Sequence, residues 1–240
     1  MKTEINCAGL KFIGLSKRQI LNSDEKFKHI VTVNAEYIVH AQKDEKLKNI
    51  ICSNYSTFDG QIPFLLARLA NGRRDFEKIS GSDFIYDACG YAKNNNKKVF
   101  LLGGKLSSNQ RSVKILKEKY EINIEGYSPE YKTYPFDKSH NEQILNCIKQ
   151  ARPDILFVGF GAMKQDYWIE DNIDFLKNIG IELAIGSGGT FEFVSEEIKR
   201  APKFIQKLGM EGLYRLIQEP KFFRLERILT SVKIFKYVSK

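Results

Sequence analysis

The chain has 240 residues, 42% of them hydrophobic and 12% aromatic, which suits a well-packed globule: one large α/β domain, or a domain with an appendage. No apolar run approaches ~20 residues and no signal peptide opens the chain, so no transmembrane helix is expected. The net charge of +9 is uneven: residues 203–240 hold nine Lys/Arg against three Glu, a local +6, and such a basic end points to a phosphate-rich partner, whether an anionic membrane surface, a nucleic acid or a pyrophosphate.

The four cysteines, Cys7, Cys52, Cys89 and Cys147, form no CxxC pair. They read as free thiols in a reducing cytoplasm, with Cys52 and Cys147 in apolar, buried segments. His29, His40 and His140 stand without carboxylate or cysteine partners at ligand spacing, so no metal site is expected.

Residues 1–28 are polar with short apolar pieces (10–15) and predict a small β-rich or irregular lead-in. Ile30-Val31-Thr32-Val33 is a short apolar strand that runs into Asn34. Residues 35–43 look helical, and 49–53 read as a second strand, followed shortly by Asp59-Gly60. A strand, helix, strand unit predicts a parallel pair with both strand ends on one sheet edge. Open α/β sheets bind ligands beyond that edge. Thr32, Asn34 and Asp59 would meet there, with Asp59 as candidate base. Asp-Gly is also a common turn pair, so the plainer explanation of Asp59 stands beside the catalytic one.

Residues 62–69 predict a helix with Pro63 in its first turn. Ser80-Gly81-Ser82-Asp83 has the character of a cap opening a helix over 84–93, and Asn94-Asn95-Asn96 closes it with a turn. Val99-Phe100-Leu101-Leu102-Gly103-Gly104 is a buried strand ending in a glycine pair. It leads into a helix over 107–120 with Val113, Ile115, Leu116 and Tyr120 inward. Gly103 and Gly104 would let the backbone approach an anion at that helix start, or they form a tight turn and nothing more. Residues 122–124 read as a strand and 126–129 as a loop, in which Tyr127 stacks on a base or sugar, or simply packs.

A helix over 141–151 stops before Pro153. Asp154-Ile155-Leu156-Phe157-Val158-Gly159 is the strongest central-strand signal in the chain. Gly159 to Asp166 then leads to a helix over 167–177. Lys164 and Gln165 sit where the strand end meets that helix, placed to grip a phosphate or sugar hydroxyl, or else in a solvated first turn. A strand over 182–185 ends in Gly186-Ser187-Gly188-Gly189-Thr190, where three glycines in four residues call for positive φ or close approach of a ligand. Alternating strands and helices predict a Rossmann-like, mostly parallel α/β sheet with helices on both faces, over residues 1–202. Residues 203–240 form a basic, amphipathic helical appendage, with helices over 204–217 and 222–238 separated by Glu219-Pro220. In the second, Phe222, Leu225, Ile228, Leu229, Val232 and Phe235 recur at helical spacing among Lys221, Arg224, Arg227, Lys233 and Lys236. This is an ordinary packed helix with a solvated basic face, or one that also touches a membrane surface.

Taken together, these pieces resemble the WecG/TagA/CpsF family of bacterial glycosyltransferases over about residues 30–228. The likeness rests on Thr32-Val33-Asn34, Asp59-Gly60, Gly81-Ser82-Asp83, Leu101-Leu102-Gly103-Gly104, Gly126-Tyr127, Pro153-Asp154-Ile155-Leu156 and Gly159-Phe160-Gly161 with Lys164-Gln165. It continues through Gly186-Ser187-Gly188-Gly189-Thr190-Phe191, Arg200-Ala201-Pro202, and Leu213-Tyr214-Arg215-Leu216 with Glu219-Pro220. The resemblance implies an inverting, metal-independent transfer of an N-acetylmannosamine-like sugar from a UDP-sugar to an undecaprenyl-diphosphate-linked sugar. The products would be polymers such as wall teichoic acid or capsule. It implies no cofactor, and a cytoplasmic enzyme held peripherally on the inner membrane face through its tail. It also implies a capacity to form homo-oligomers.

By the same resemblance Asp59 is the base, and Thr32 and Asn34 orient sugar hydroxyls. Lys164, Gln165 and the backbone N–H groups at Gly103-Gly104 and Gly188-Gly189 stabilise the departing UDP. Arg215, with Arg224 and Arg227, holds the acceptor diphosphate. The chain departs from the family pattern at Met163 and Asp166 (usually Pro-Lys-Gln-Glu), Glu192, Glu196 and Gly212, and its late arginines are shifted. These changes suggest a different donor or acceptor. The competing readings are a UDP-sugar-binding α/β protein without transferase activity and a nucleic-acid-binding domain. No recognised nucleic-acid motif supports the second.

Overall fold

The computed structural model describes residues 4–13, 16–72 and 74–237. It opens with a hairpin of β1 (Ile5–Cys7) and β2 (Leu10–Phe12), then α1 (Lys17–Leu21), β3 (Lys28–Val33), α2 (Ala35–Ala41), α3 (Glu45–Ser53), β4 (Tyr55–Phe58) and α4 (Gln61–Asn71). It continues through α5 (Gly81–Asn94), β5 (Val99–Gly103), α6 (Leu106–Tyr120), β6 (Ile124–Tyr127), α7 (Lys138–Ala151), β7 (Ile155–Gly159), α8 (Lys164–Asp171), α9 (Ile173–Asn178) and β8 (Leu183–Gly186). The last elements are α10 (Thr190–Val194), α11 (Lys203–Lys207), α12 (Glu211–Gln218), α13 (Phe222–Val232) and one 3₁₀ turn, Lys233–Lys236. The main sheet runs in the order β4-β3-β8-β7-β5-β6, and β3–β8, β8–β7, β7–β5 and β5–β6 all pair in parallel. The Rossmann-like α/β expectation is met. Residues 155–159 lie between two neighbours in the sheet, as their unbroken apolar run requires.

The chain divides into two compact units that do not follow a boundary at 202/203. Unit 1 is Met1–Ile20, Val31–Ser80 and Ile198–Lys240; unit 2 is Leu21–Ile30 and Gly81–Glu197. The tail residues fall within unit 1. In unit 1, Phe12 stacks on Phe58 with ring centroids 4.2 Å apart, and Phe76 packs against Phe58. Tyr37, Ile38, Leu47, Ile51 and the tail residue Ile234 are also buried. In unit 2, Phe100, Leu102, Leu156 and Val158 of the sheet pack with Ile144 and Ile148 of α7 and with Trp168 and Ile169 of α8.

Several elements differ from their predicted form. Residues 49–53 are the end of helix α3, and the strand is Tyr55–Phe58. Leu47, Ile50 and Ile51 lie at helical spacing and bury one face, and Asp44 caps the helix by accepting the Leu47 N–H at 3.0 Å. The buried face of α6 is mostly polar: Ser108, Asn109 and Ser112, with Leu116. Strand β6 extends through Gly126 and Tyr127, which pair with Leu101 and Leu102, so Tyr127 is a strand residue packed against the core and not a loop side chain. The helix predicted over 167–177 begins earlier, at Lys164, and breaks at Asn172. In the tail, Gly209 (φ 74°) breaks the first predicted helix into α11 and α12, and the second ends at Val232. Residue 238, its predicted end, and residues 14 and 15 of the lead-in lie outside the described residues. All four cysteines are free thiols. Cys7 and Cys89 are the buried ones, and burial pushes the Cys89 thiol up to about 12.

Candidate active site

The residues singled out in the sequence fall into two groups, one in each unit. In unit 1, β3 delivers Thr32, buried, and then Asn34, whose side-chain oxygen accepts the Tyr37 N–H at 3.1 Å and caps α2. Asn34 thus has a structural duty that leaves its amide N–H groups as the donors for other work. Asp59 follows β4, and its backbone N–H donates to the Val33 carbonyl at 2.9 Å. Asn34 and Asp59 therefore stand at neighbouring strand ends, as the parallel pairing predicts, although β4 arises from different residues. Gly60, at φ 93°, turns the chain into α4, so the Asp59 carboxylate precedes a helix N-terminus, where backbone dipoles favour an anion.

The three tail arginines also belong to unit 1. Arg215 is half-buried on α12. Arg224 is buried and paired with Glu219, and Arg227 donates through Nε to Glu36 Oε2 at 2.7 Å. Burial works against the Glu219 charge, yet Lys221 and Arg224 hold its carboxyl below the usual range. Glu36 lies two residues beyond Asn34, so α13 docks on the first turn of α2. Arg224 and Arg227 are both engaged by carboxylates of their own unit. The faces of α13 are inverted relative to a packed helix. Arg224 and Arg227 turn inward, while Phe222, Leu225, Leu229 and Val232 are exposed.

In unit 2 the second group lies in the loops after β5, β7 and β8. Gly103 and Gly104 both adopt positive φ. The space their missing Cβ atoms leave is filled by protein: a Cβ on Gly103 would lie 2.9 Å from Phe160, and one on Gly104 2.8 Å from Phe191. The Gly104 N–H donates to the Gly159 carbonyl at 3.0 Å. Asn109 donates to the carbonyls of Leu101 and Gly103, and Ser128 to that of Gly104. Met163, at φ 64°, starts α8, so Lys164 and Gln165 are its first two residues. Lys164 is half-buried and forms no ion pair with the described residues. Gln165 is buried, and its Oε1 accepts the Gly188 N–H at 2.9 Å. Gly188 has positive φ (53°), whereas Gly189 has ordinary backbone angles as the cap of α10. The Gly104 and Gly188 amides, expected to face a diphosphate, thus already have acceptors inside the unit.

A family model for the Glycosyl transferase WecG/TagA/CpsF family matches residues 5–239. The chain belongs to this family. It is also 30% identical over 213 residues to the N-acetylglucosaminyldiphosphoundecaprenol N-acetyl-β-D-mannosaminyltransferase of Bacillus subtilis (strain 168), covering 88% of this chain and 78% of that protein. Glycosyl transfer is accordingly the activity of this WecG/TagA/CpsF family member.

Two features of this glycosyltransferase escape sequence reasoning. Glu36 reads as an ordinary first-turn acid on α2, yet it anchors the tail. His29 lacks a carboxylate at ligand spacing in the chain, but in space it has two: Nε2 lies 3.3 Å from Asp166 Oδ1 and Nδ1 lies 3.3 Å from Glu170 Oε2. The available signal was a histidine inside an apolar strand, which must find partners if buried. Among the described residues no three His, Cys, Asp or Glu side chains form a group that could hold a metal ion. The two carboxylates around His29 address opposite ring nitrogens.

Proposed function

We propose that this chain moves an N-acetylmannosamine-like sugar from a UDP-sugar onto an undecaprenyl-diphosphate-linked N-acetylglucosamine, inverting the anomeric centre without a metal. The observation that carries the reading is the likeness, across most of the chain, to an enzyme named for mannosaminyl transfer to a diphosphoundecaprenol-linked sugar. In one displacement the acceptor hydroxyl oxygen bonds to the anomeric carbon. The bond from that carbon to the diphosphate oxygen breaks, and its electron pair leaves with UDP. The hydroxyl proton passes to the Asp59 carboxylate. Thr32 and the amide N–H of Asn34 orient sugar hydroxyls. Lys164 supplies positive charge to the leaving diphosphate. Gln165 and the turns at Gly103-Gly104 and Gly188-Gly189, with Tyr127, shape the donor side. Arg215 binds the acceptor diphosphate, and Arg224 and Arg227 join it by exchanging their carboxylates for phosphate.

The tail reaches the membrane surface through the exposed face of α13, with Phe204, Leu208 and Ile217 adding apolar area beside Lys203, Lys207 and Lys221. The contact proposed is peripheral; no helix among the described residues is long and apolar enough to cross a membrane.

The test is product formation from a panel of UDP-sugars with a polyprenyl-diphosphate-N-acetylglucosamine acceptor, with and without EDTA. One sugar is expected to be transferred regardless of EDTA. Asp59→Asn should lower the rate ~10²-fold or more while UDP still binds. UDP binding with no donor consumed would overturn the reading.

A further inference from the structure

His29 is buried in β3 between two carboxylates that lie one turn apart on α8, and Asp166 is itself fully buried. A neutral imidazole has one N–H, so it would turn a lone pair toward one of the two carboxylates. An imidazolium donates to both. The charged groups facing the ring are Asp166 and Glu170 of α8. The neighbouring strand β8 faces His29 with Ala184, and Lys28, beside it on β3, reaches instead to the Ser23 carbonyl.

The same helical turn holds the loop after β8. Gln165 accepts the Gly188 N–H, and Gly186, the last residue of β8, leaves room for both side chains. A Cβ there would lie 2.4 Å from Asp166 Oδ1 and 2.8 Å from Gln165 Nε2. A continuous set of contacts therefore runs from His29 through Asp166 and Gln165 to Gly188, and Lys164 begins the same turn.

We propose that His29, as an imidazolium, is a positioning residue for sugar-donor binding: it clamps Asp166 and Glu170, fixes the first turn of α8, and so sets Lys164, Gln165 and the Gly188 turn. The proposal rests on the reading of that turn as part of the donor site. Loss of the His29 proton leaves two facing carboxylates with one N–H between them, and α8 shifts. A misplacement of about 1 Å at a site of this kind costs on the order of 10²-fold in kcat/KM.

The test uses the full chain labelled with ¹⁵N in histidine and in backbone amides, followed by NMR against pH, together with the pH dependence of KM and kcat for the donor. The His29 ring and the Gly188 amide are expected to titrate together above the ordinary imidazole value of ~6.5, and donor KM to rise on the order of 10-fold or more across that transition, with less change in kcat. Glu170→Gln, which leaves one carboxylate, should move both the NMR titration and the KM limb to lower pH. His29→Gln should abolish the Gly188 titration and raise donor KM at every pH. A merely structural histidine would lower activity by the same factor at all pH values in Glu170→Gln. That result, a His29 ring that titrates at or below the ordinary ~6.5, or a Gly188 amide indifferent to His29, overturns the proposal. Should His29→Gln fail to fold, Glu170→Gln carries the test alone. If the wild type consumes no UDP-sugar, the donor reading fails, and the clamp stands or falls on the coupled titration of His29 and Gly188.

Discussion

The glycines of this family member are set by their side-chain neighbours as much as by backbone angles. Gly186 is the clearest case, since an added methyl would meet Asp166 and Gln165, and Asp166 is held in place by His29. Gly186→Ala should cost on the order of 1–3 kcal/mol of stability, read from urea denaturation, and weaken UDP binding more than it shifts the melting midpoint. His29 itself makes stability depend on pH. Burial opposes its charge, but hydrogen bonds to Asp166 and Glu170 outweigh burial and raise its proton affinity above the ordinary value. A folded value above the unfolded one, ~6.5, means that this contribution is whole below that pH and fades as pH rises through the folded value. The stability gap between wild type and His29→Gln should therefore be widest between about pH 5 and 6.5 and narrow as the pH rises through the folded value.

Among the elements, the sequence is most transparent where one pattern dominates. The run of Ile155 to Val158 could only be an interior strand, and Asn94 to Asn96 only a stop. Pattern fails where two signals compete. Ile50 and Ile51 carry β propensity, but Asp44 and the spacing of Leu47, Ile50 and Ile51 decide for a helix, because burying one face outweighs a weak local preference. Asp44→Ala removes the cap and should cost about 1 kcal/mol, measured by thermal or urea denaturation. The site divides the same way. Asn34 and Asp59 were legible because parallel strands end on one edge. The His29 clamp was not, because its partners lie more than a hundred residues away in the chain and share no local spacing with it. Nor was the inversion of α13, whose alternation of Arg and apolar residues tells which positions share a face but not which face is covered.

At the scale of the whole molecule, charge and exposed apolar surface coincide on the tail, and the proposed membrane contact should be separable from catalysis. Phe222→Ser with Leu229→Ser is expected to reduce sedimentation with anionic phospholipid vesicles about 10-fold or more, leaving UDP binding and the circular dichroism spectrum unchanged. Equal sedimentation of the variant and the wild type would remove the tail from the membrane contact. Deleting residues 203–240 would be a poor substitute, since it strips the fully buried Ile234 and the Arg227–Glu36 pair from unit 1. The division of the chain has a further consequence during synthesis on the ribosome. Unit 2 has its last residue at Glu197, but unit 1 lacks Arg227 and Ile234 until the tail emerges. The α2 surface that carries Glu36, next to the candidate catalytic edge, is thus completed last. A nascent chain that has emerged from the ribosome only as far as Glu197 would display a finished unit 2 and an unfinished unit 1, the half that carries Asp59.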